Sequence, residues 1–315
     1  MHEFDLIQKY FSWDELPENV LMGVGDDAAV LEIAADEQLV TSIDTFISGV
    51  HFPHDTPAEA IGHKALAVNL SDLAAMGASP QWFTLALTLP EIRQNWLADF
   101  SRGLKTLAQE SACFLVGGDT TRGALSISIQ VMGVVKKGQA LTRSGARAGD
   151  LIYLTGTLGD AHAGLESILH GFELAAGDKA YCQKRLHRPT PRLQQSELIR
   201  PFATACIDLS DGFLQDLGHL LSASRCGAQI NTAELPLSKA LQTLPQDIAM
   251  QFALSGGDDY ELLFTIPKNK QPEFEKYIKK GGDGLIKQVG VITHHTDQII
   301  DENKQLLDQA GYSHF

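Results

Sequence analysis

The chain has 315 residues, 44% of them hydrophobic and 20% charged, with a formal net charge of −14. That length suggests two domains with real cores, and so few charges exclude a disordered polyelectrolyte. The acidic balance argues against non-specific DNA or RNA binding, which needs a basic face, but leaves nucleotides open, because metal ions invert the local sign of an acidic site.

Phe4, Ile7 and Phe11 fall at helical spacing and predict a helix over 3–11. With no basic start and no apolar h-region, this opening does not read as a signal peptide. Two strands are expected at 28–33 and 39–43; the first is a buried run that directly follows the aspartate pair in "GVGDDAAVLEI". Thr56 as N-cap, Pro57 at the first helical position and Glu59 completing a capping box start a helix that stops at Gly77. "QWFTLALTL" is a strand, and Pro90 opens a helix with the stripe Ile92, Trp96, Phe100, Leu104 and Leu107. "CFLV" is a strand ending at "GGDTTRG", and "LSISIQVMGVV" is the next strand.

A glycine-rich, basic and polar stretch, "KKGQALTRSGARAGD", divides the chain, giving domains over 1–138 and 139–315. Beyond it come the strand "LIYLTG" and a loop into a helix, "TLGDAHAGLESIL". "HRPTPR" is a rigid connector. "ACIDLSDGFLQDLGHLLSAS" is a strand, turn and helix; "FALSGGDDYELLFTI" is a turn into a strand; "GGDG" at 281–284 is a hairpin-like turn. The fold class is α/β (α+β) in two domains. No apolar run is long enough to span a membrane. Cys113, Cys182, Cys206 and Cys226 show no zinc spacing and read as buried thiols of a reducing, cytoplasmic compartment.

The chemistry lies in the aspartates. Asp27, Asp44, Asp72, Asp119, Asp208, Asp211 and Asp258 each sit beside glycine, serine or threonine at an expected strand end, turn or helix start. A solvated face would use glutamate as freely, at helical spacing among lysines. Short carboxylates on tightly held backbone are what hard cations need, although Asx-turns and N-caps explain many single aspartates. Asp208 and Asp211 compete for one N-cap. Mg²⁺ shared between carboxylates and a triphosphate would neutralise both. Glycine turns offer backbone N–H groups to phosphates, and Arg122, Arg143 and Arg147 offer charge, with a surface ion pair the simpler reading of Arg147. The tripeptides LSD and GGD recur, and the same 47-residue interval separates Asp72 from Asp119 and Asp211 from Asp258. Coincidence and an internal echo both explain it. No Walker loop, protein-kinase set or G-x-S-x-G elbow is present.

The ordered segments "GVGDDAAVL", "SIDTFISGVHF", "KALAVNLSDLAAMGASP", "VGGDTTRG", "LTRSGA", "IDLSDG" and "LSGGDDYELLFT" resemble the motif string of the thiamine-monophosphate kinases, within the aminoimidazole ribonucleotide synthetase superfamily. The resemblance runs from about residue 4 to the final "GYSHF". It implies ATP-dependent phosphorylation of thiamine monophosphate to thiamine diphosphate, the last step in making that compound. It also implies several Mg²⁺ ions and a homodimer in which the N-terminal mixed sheets pair. Asp27, Ser42, Asp44, Asp72, Asp119, Asp208 and Asp211 match metal ligands. Ile43, where relatives often carry threonine, would bind only through its carbonyl. Gly118, Asp119, Arg143 and Ser210 match ATP contacts, and His51, Asp258 and Tyr312 match contacts to the thiamine substrate. Asp258 replaces a glutamate common in relatives and is shorter.

With no compelling nucleophile, direct in-line phosphoryl transfer is expected, and an acceptor phosphate already ionised at neutral pH needs no strong base. Two rival readings remain. One is a superfamily synthetase acting on an amide or selenide, for which a cysteine near the N-terminus or at the C-terminus is expected; the first here is Cys113, and the chain ends in Phe315. The other is a Ca²⁺-binding module without catalysis.

Overall fold

The first half of the chain builds α1 (Glu3–Tyr10), a ribbon of β1 (Val20–Met22) and β2 (Val30–Leu31), then β3 (Glu37–Ile47) and α2 (Ala58–Ala75). β4 (Ser79–Leu89), α3 (Gln94–Glu110), β5 (Phe114–Arg122) and β6 (Ser126–Lys136) follow. The computed structural model describes residues 3–13, 16–24, 28–281, 285–309 and 311–312. It divides into two units, Met1–Leu73 with Ala78–Gln139 and Ala74–Gly77 with Ala140–Phe315.

The first unit holds a four-stranded sheet in the order β3-β6-β4-β5, parallel only between β4 and β5. Along β6, Ile127, Ile129, Val131, Gly133 and Val135 are buried while the residues between them are not. That alternation belongs to a sheet covered on one face. On β3 the residues opposite the covered face include Leu39, Ile43 and Ile47, which are 48%, 62% and 42% exposed. α2 lies on the covered face, with Leu73 against Gly133 of β6. α2 and α3 meet at backbone distance. A Cβ on Gly62 would lie 2.1 Å from the Phe100 carbonyl oxygen, and one on Gly103 would lie 1.9 Å from that of Glu59.

The second unit is built from β7 (Leu151–Thr155), α4 (Asp160–Leu169), α5 (Ala176–His187), α6 (Leu193–Ile199), β8 (Ala205–Asp208), α7 (Phe213–Ser224) and β9 (Gly227–Ile230). It continues with α8 (Lys239–Gln242), α9 (Gln246–Ser255), β10 (Leu262–Ile266), α10 (Gln271–Gly281), β11 (Ile286–Thr293) and β12 (Ile299–Ile300). Its mixed sheet runs β12-β9-β11-β7-β10-β8. β7, β8 and β10 are buried at every position. They read as continuous apolar runs because both faces are covered. Ile152, Leu154 and Ile207 pack with Leu217, Leu220 and Leu221 of α7, whereas Tyr153, Cys206 and Phe264 pack with Ile199 and Phe274.

Several local expectations need correction. The strand expected at 28–33 shortens to β2, with Val30 44% and Ile33 46% exposed, so it is not a buried run. β3 continues to Ile47 because it pairs with β6 along its whole length. β5 runs through the glycine turn to Arg122, held in parallel register against β4. Thr56 does not cap α2: its buried hydroxyl finds no partner, and Glu59 is engaged by Arg102 instead. α3 starts at Gln94, after an extended Arg93, which leaves Ile92 exposed and off the helix stripe. The glycine stop of α2 is present. Gly77 has φ +70, its N–H reaches the Ala74 carbonyl, and the Ala78 N–H reaches that of Leu73, the paired bonds of a Schellman motif. The expected 281–284 turn falls mostly outside the described residues.

Because both atoms facing the α2–α3 contact are backbone, neither helix can yield to a new methyl group. Gly103→Ala is expected to lower the unfolding free energy by about 1–3 kcal/mol or more, read as a lower urea midpoint at unchanged slope.

Candidate active site

In the first unit the site begins on β3. Ser42 and Asp44 are two residues apart and share the face toward α2. α2 answers with Asn69 and Asp72, three residues apart and therefore neighbours on the helix surface. The Ser42 hydroxyl donates to Asp72 Oδ2 at 2.5 Å. The backbone N–H of Asp44 donates to Asn69 Oδ1 at 3.1 Å, and Asn69 Nδ2 donates to the Ala65 carbonyl at 2.9 Å. Asn69 is fully buried and is a site residue that the sequence reading passes over. Its signal is one amide in the apolar run "ALAVNL", three residues before Asp72. Burial, reinforced by the charge of Asp72, pushes the Asp44 carboxyl up to about 6. Two carboxylates and a hydroxyl are thus crowded at a place that disfavours negative charge.

His51 stands in the turn after β3. Its Nδ1 accepts the Ile47 N–H at 3.0 Å, and its ring stacks on Phe46 at 5.3 Å. An accepting Nδ1 puts the proton of the neutral ring on Nε2. Gly118 and Asp119 lie in β5, at the sheet edge opposite β3. Asp44, Ile129, Leu85 and Gly118 form one register row across the four strands, so three strand spacings, roughly 14 Å, separate its ends. Asp119 is exposed and sits within a strand that runs on to Arg122 and not at a strand end, whereas Asp72 lies in the last turns of α2, inside the helix expected there. Gly118 has φ +155, and a Cβ there would lie 2.0 Å from the Leu85 carbonyl oxygen, so only glycine fits.

The second unit gathers another set. Asp208 ends β8 and is buried. Ser210 and Asp211 follow in the loop before α7. Neither Asp208 nor Asp211 caps that helix: its N-cap is Gly212, which has φ +132. The loop is held from within the helix. Asp216 Oδ2 accepts the N–H groups of Ser210, Asp211 and Gly212 at 3.0, 3.1 and 3.2 Å. Burial and the charge of Asp211 push the Asp216 carboxyl up to about 7, against the pull of those three donors.

Asp258 lies beside the same loop, its N–H donating to the Ser210 carbonyl at 2.8 Å. The Tyr312 N–H donates to the Asp211 carbonyl at 3.0 Å, and Gln215 Nε2 donates to the Tyr312 carbonyl at 2.9 Å. Arg143 is exposed, in a loop fixed by Ser224, whose hydroxyl donates to the Arg143 carbonyl at 3.0 Å.

The structure therefore brings Ser42, Asp44 and Asp72 together in the first unit. In the second it brings Ser210, Asp211, Asp258 and Tyr312 together next to Asp208. Asp27 lies outside the described residues. Among the described residues no three His, Cys, Asp or Glu side chains stand close enough to hold a metal ion by themselves. The two LSD segments differ in setting, one in a helix and one before a helix, so the sequence echo has no local structural counterpart.

Residues 25–135 match the family model described as AIR synthase related protein, N-terminal domain, and residues 147–301 match its C-terminal domain. The chain is 45% identical to the thiamine-monophosphate kinase of Escherichia coli K12 over 99% of this chain and 98% of that one. It superimposes on the crystal structure of thiamine-monophosphate kinase from Stenotrophomonas maltophilia K279a with a TM-score of 0.86 at 44% identity, covering 91% and 92% of the two chains. A structure of AaThiL complexed with AMPPCP and TMP gives a TM-score of 0.79 at 31% identity, covering 93% and 92%.

Removing the Asp216 acceptor leaves three loop N–H groups to find new partners. Asp216→Ala is expected to cost about 1–3 kcal/mol of stability. It should also speed hydrogen exchange at the amides of residues 210–212 at least about tenfold, whereas Asp216→Asn, which keeps an acceptor, shows less of both.

Proposed function

Since the chain belongs to the AIR synthase related family, and within it to the thiamine-monophosphate kinases, we propose that this kinase transfers the γ-phosphoryl group of ATP to thiamine monophosphate. The products are thiamine diphosphate and ADP, and the setting is the cytoplasm. The observation that carries the choice of substrate is 45% identity to a thiamine-monophosphate kinase along almost the whole of both chains.

The residues fit hard divalent cations. Around Ser42, Asp44 and Asp72 the donors are all oxygens, and the raised pKa of Asp44 reflects burial first and the neighbouring Asp72 charge second, a setting in which a bound cation would favour the ionised carboxylate. Ser42, the Ile43 carbonyl, Asp44, Asp72 and Asp119 in the first unit, and Asp208 and Asp211 in the second, are the residues assigned to hold Mg²⁺; Asp27 joins them by its motif. Bound Mg²⁺ would supply charge neutralisation for the polyphosphate.

The chain's own residues position the reactants. Gly118 is assigned to ATP by its motif, and Ser210 and Arg143 add donors. The proton on His51 Nε2 suits a hydrogen bond to the acceptor phosphate. Asp258 offers a carboxylate to the cationic thiazolium ring. An oxygen of the acceptor phosphate forms the new bond to the γ-phosphorus as the bond from that phosphorus to the β-bridging oxygen breaks. No general base is required, because the acceptor is already ionised.

The exposed strip of Leu39, Ile43 and Ile47 on β3 supports pairing of the first unit's sheet with that of a second copy.

Two measurements test this reading. Protein incubated with ATP, Mg²⁺ and thiamine monophosphate should form thiamine diphosphate on chromatography; Asp72→Asn, its melting temperature unchanged, should lose on the order of 100-fold in turnover. The absence of product overturns the assignment. The double variant Leu39→Glu with Ile47→Glu should run as a monomer by light scattering where the parent runs as a dimer, and an unchanged mass would sink the sheet-pairing proposal.

A further inference from the structure

Beneath Asp258 lies a buried charge cluster that the proposed reaction does not use. Glu261 is fully buried, immediately before β10. Its Oε1 accepts Arg185 Nη2 at 2.8 Å and Arg192 Nη2 at 2.5 Å; its Oε2 accepts Arg192 Nε at 2.5 Å and Thr155 Oγ1 at 2.7 Å. Four donors saturate the carboxylate, and Arg192 binds it with both prongs of its fork. Arg185 belongs to α5 and Arg192 immediately precedes α6, and the short connector 188–191, with prolines at 189 and 191, joins the two. Gly156, with φ +57, makes room for the carboxylate: a Cβ there would lie 2.0 Å from Glu261 Oε1.

The segment above is strained. Asp258 and Tyr260 have φ of 70° and 50°, a left-handed conformation that ordinary residues keep only where their surroundings over-determine it. Those surroundings are the cluster and its neighbours. Arg185 Nη2 donates to the Asp259 carbonyl at 3.2 Å, and Asp259 Oδ2 accepts the Gly159 N–H at 2.8 Å. The Tyr260 N–H reaches the Leu209 carbonyl, the Leu209 N–H reaches that of Glu261, and the Tyr260 hydroxyl donates to Asp258 Oδ1 at 3.2 Å.

We infer that Glu261, clamped by Arg185 and Arg192, is a positioning residue that holds the 256–260 segment in its strained form and thereby sets how tightly the acceptor substrate is bound. This rests on the reading of Asp258 as a contact to thiamine monophosphate. Glu261 is fully buried while Arg185 and Arg192 keep 13% and 19% of their side chains exposed. A buried ion pair contributes little net stability over a well-packed apolar replacement, so a buried carboxylate with two guanidinium partners next to this segment points to control of its conformation. The segment also bonds the Leu209 and Ser210 carbonyls, but the Ser210–Gly212 loop has its own anchor in Asp216, so the larger effect of the clamp falls on the acceptor side.

The test uses the full chain and steady-state kinetics with both substrates. Arg192→Gln is expected to raise KM for thiamine monophosphate at least fivefold and leave KM for ATP within twofold. Arg192→Lys, which keeps the charge but not the fork, should fall between it and the parent, and carries the same test should the Gln variant fail to fold. In an Asp258→Asn background, itself raised in KM, Arg192→Gln should add less than twofold. If Asp258→Asn raises KM and Arg192→Gln does not, the clamp alone is overturned. If Asp258→Asn leaves KM unchanged, the reading of Asp258 falls and the clamp's route to the substrate falls with it. Equal rises in both KM values, or a lower melting temperature with neither changed, would mark the cluster as purely structural.

Discussion

The contact of α2 with α3 through Gly62 and Gly103 governs much of the first unit. With no side chain between the helices, their separation is set by backbone van der Waals contact, and α2 has little freedom to shift. α2 in turn carries Asn69 and Asp72 to β3. A hydrogen bond tolerates a few tenths of an ångström of error. The 2.5 Å bond from Ser42 to Asp72 and the Asn69 bond to the Asp44 N–H therefore depend on how deeply that helix is seated. Asn69 has a second consequence. β3 is an edge strand, and a side-chain carbonyl on one of its N–H groups takes a ladder position that another chain would otherwise use.

The second unit solves a different problem with the same means. Its loops carry charge next to strands that are buried throughout, so each acid there needs fixed donors. Asp216 is held by three backbone N–H groups, Glu261 by two guanidinium groups and a hydroxyl, and Asp160 by Ser238, Thr157 and Tyr181. None of these three acids is among the residues assigned to metal or substrate. They hold the backbone on which the assigned residues stand.

This division explains what was legible in the sequence. The two-part α/β class, the glycine stop of α2 and the aspartate motifs can be read from the chain, because each is a local pattern or an ordered string of short motifs. The supports are not local. Asp216 reads as an ordinary acid in a helix's first turn until the loop folds back onto it, and Glu261 reads as one more charge in "DDYEL" until Arg185 and Arg192 arrive from about 70 residues away. The capping box at Thr56 shows the converse failure: the sequence pattern is present, but the hydroxyl is buried without a partner and Glu59 is drawn to Arg102 on the neighbouring helix. Likewise Asp44 and Asp119 look like equivalent turn aspartates in sequence, and only strand order places them on opposite edges of one sheet.

The cysteines carry a practical consequence. Cys113, Cys182, Cys206 and Cys226 are all buried free thiols, and burial raises the pKa of each. The thiolate is the reactive form, so the folded chain presents almost no nucleophilic sulfur to alkylating reagents. A single cysteine engineered onto the surface would then be the dominant labelling position in the native protein. Fluorophores or spin labels can be attached stoichiometrically while the four native cysteines stay in place.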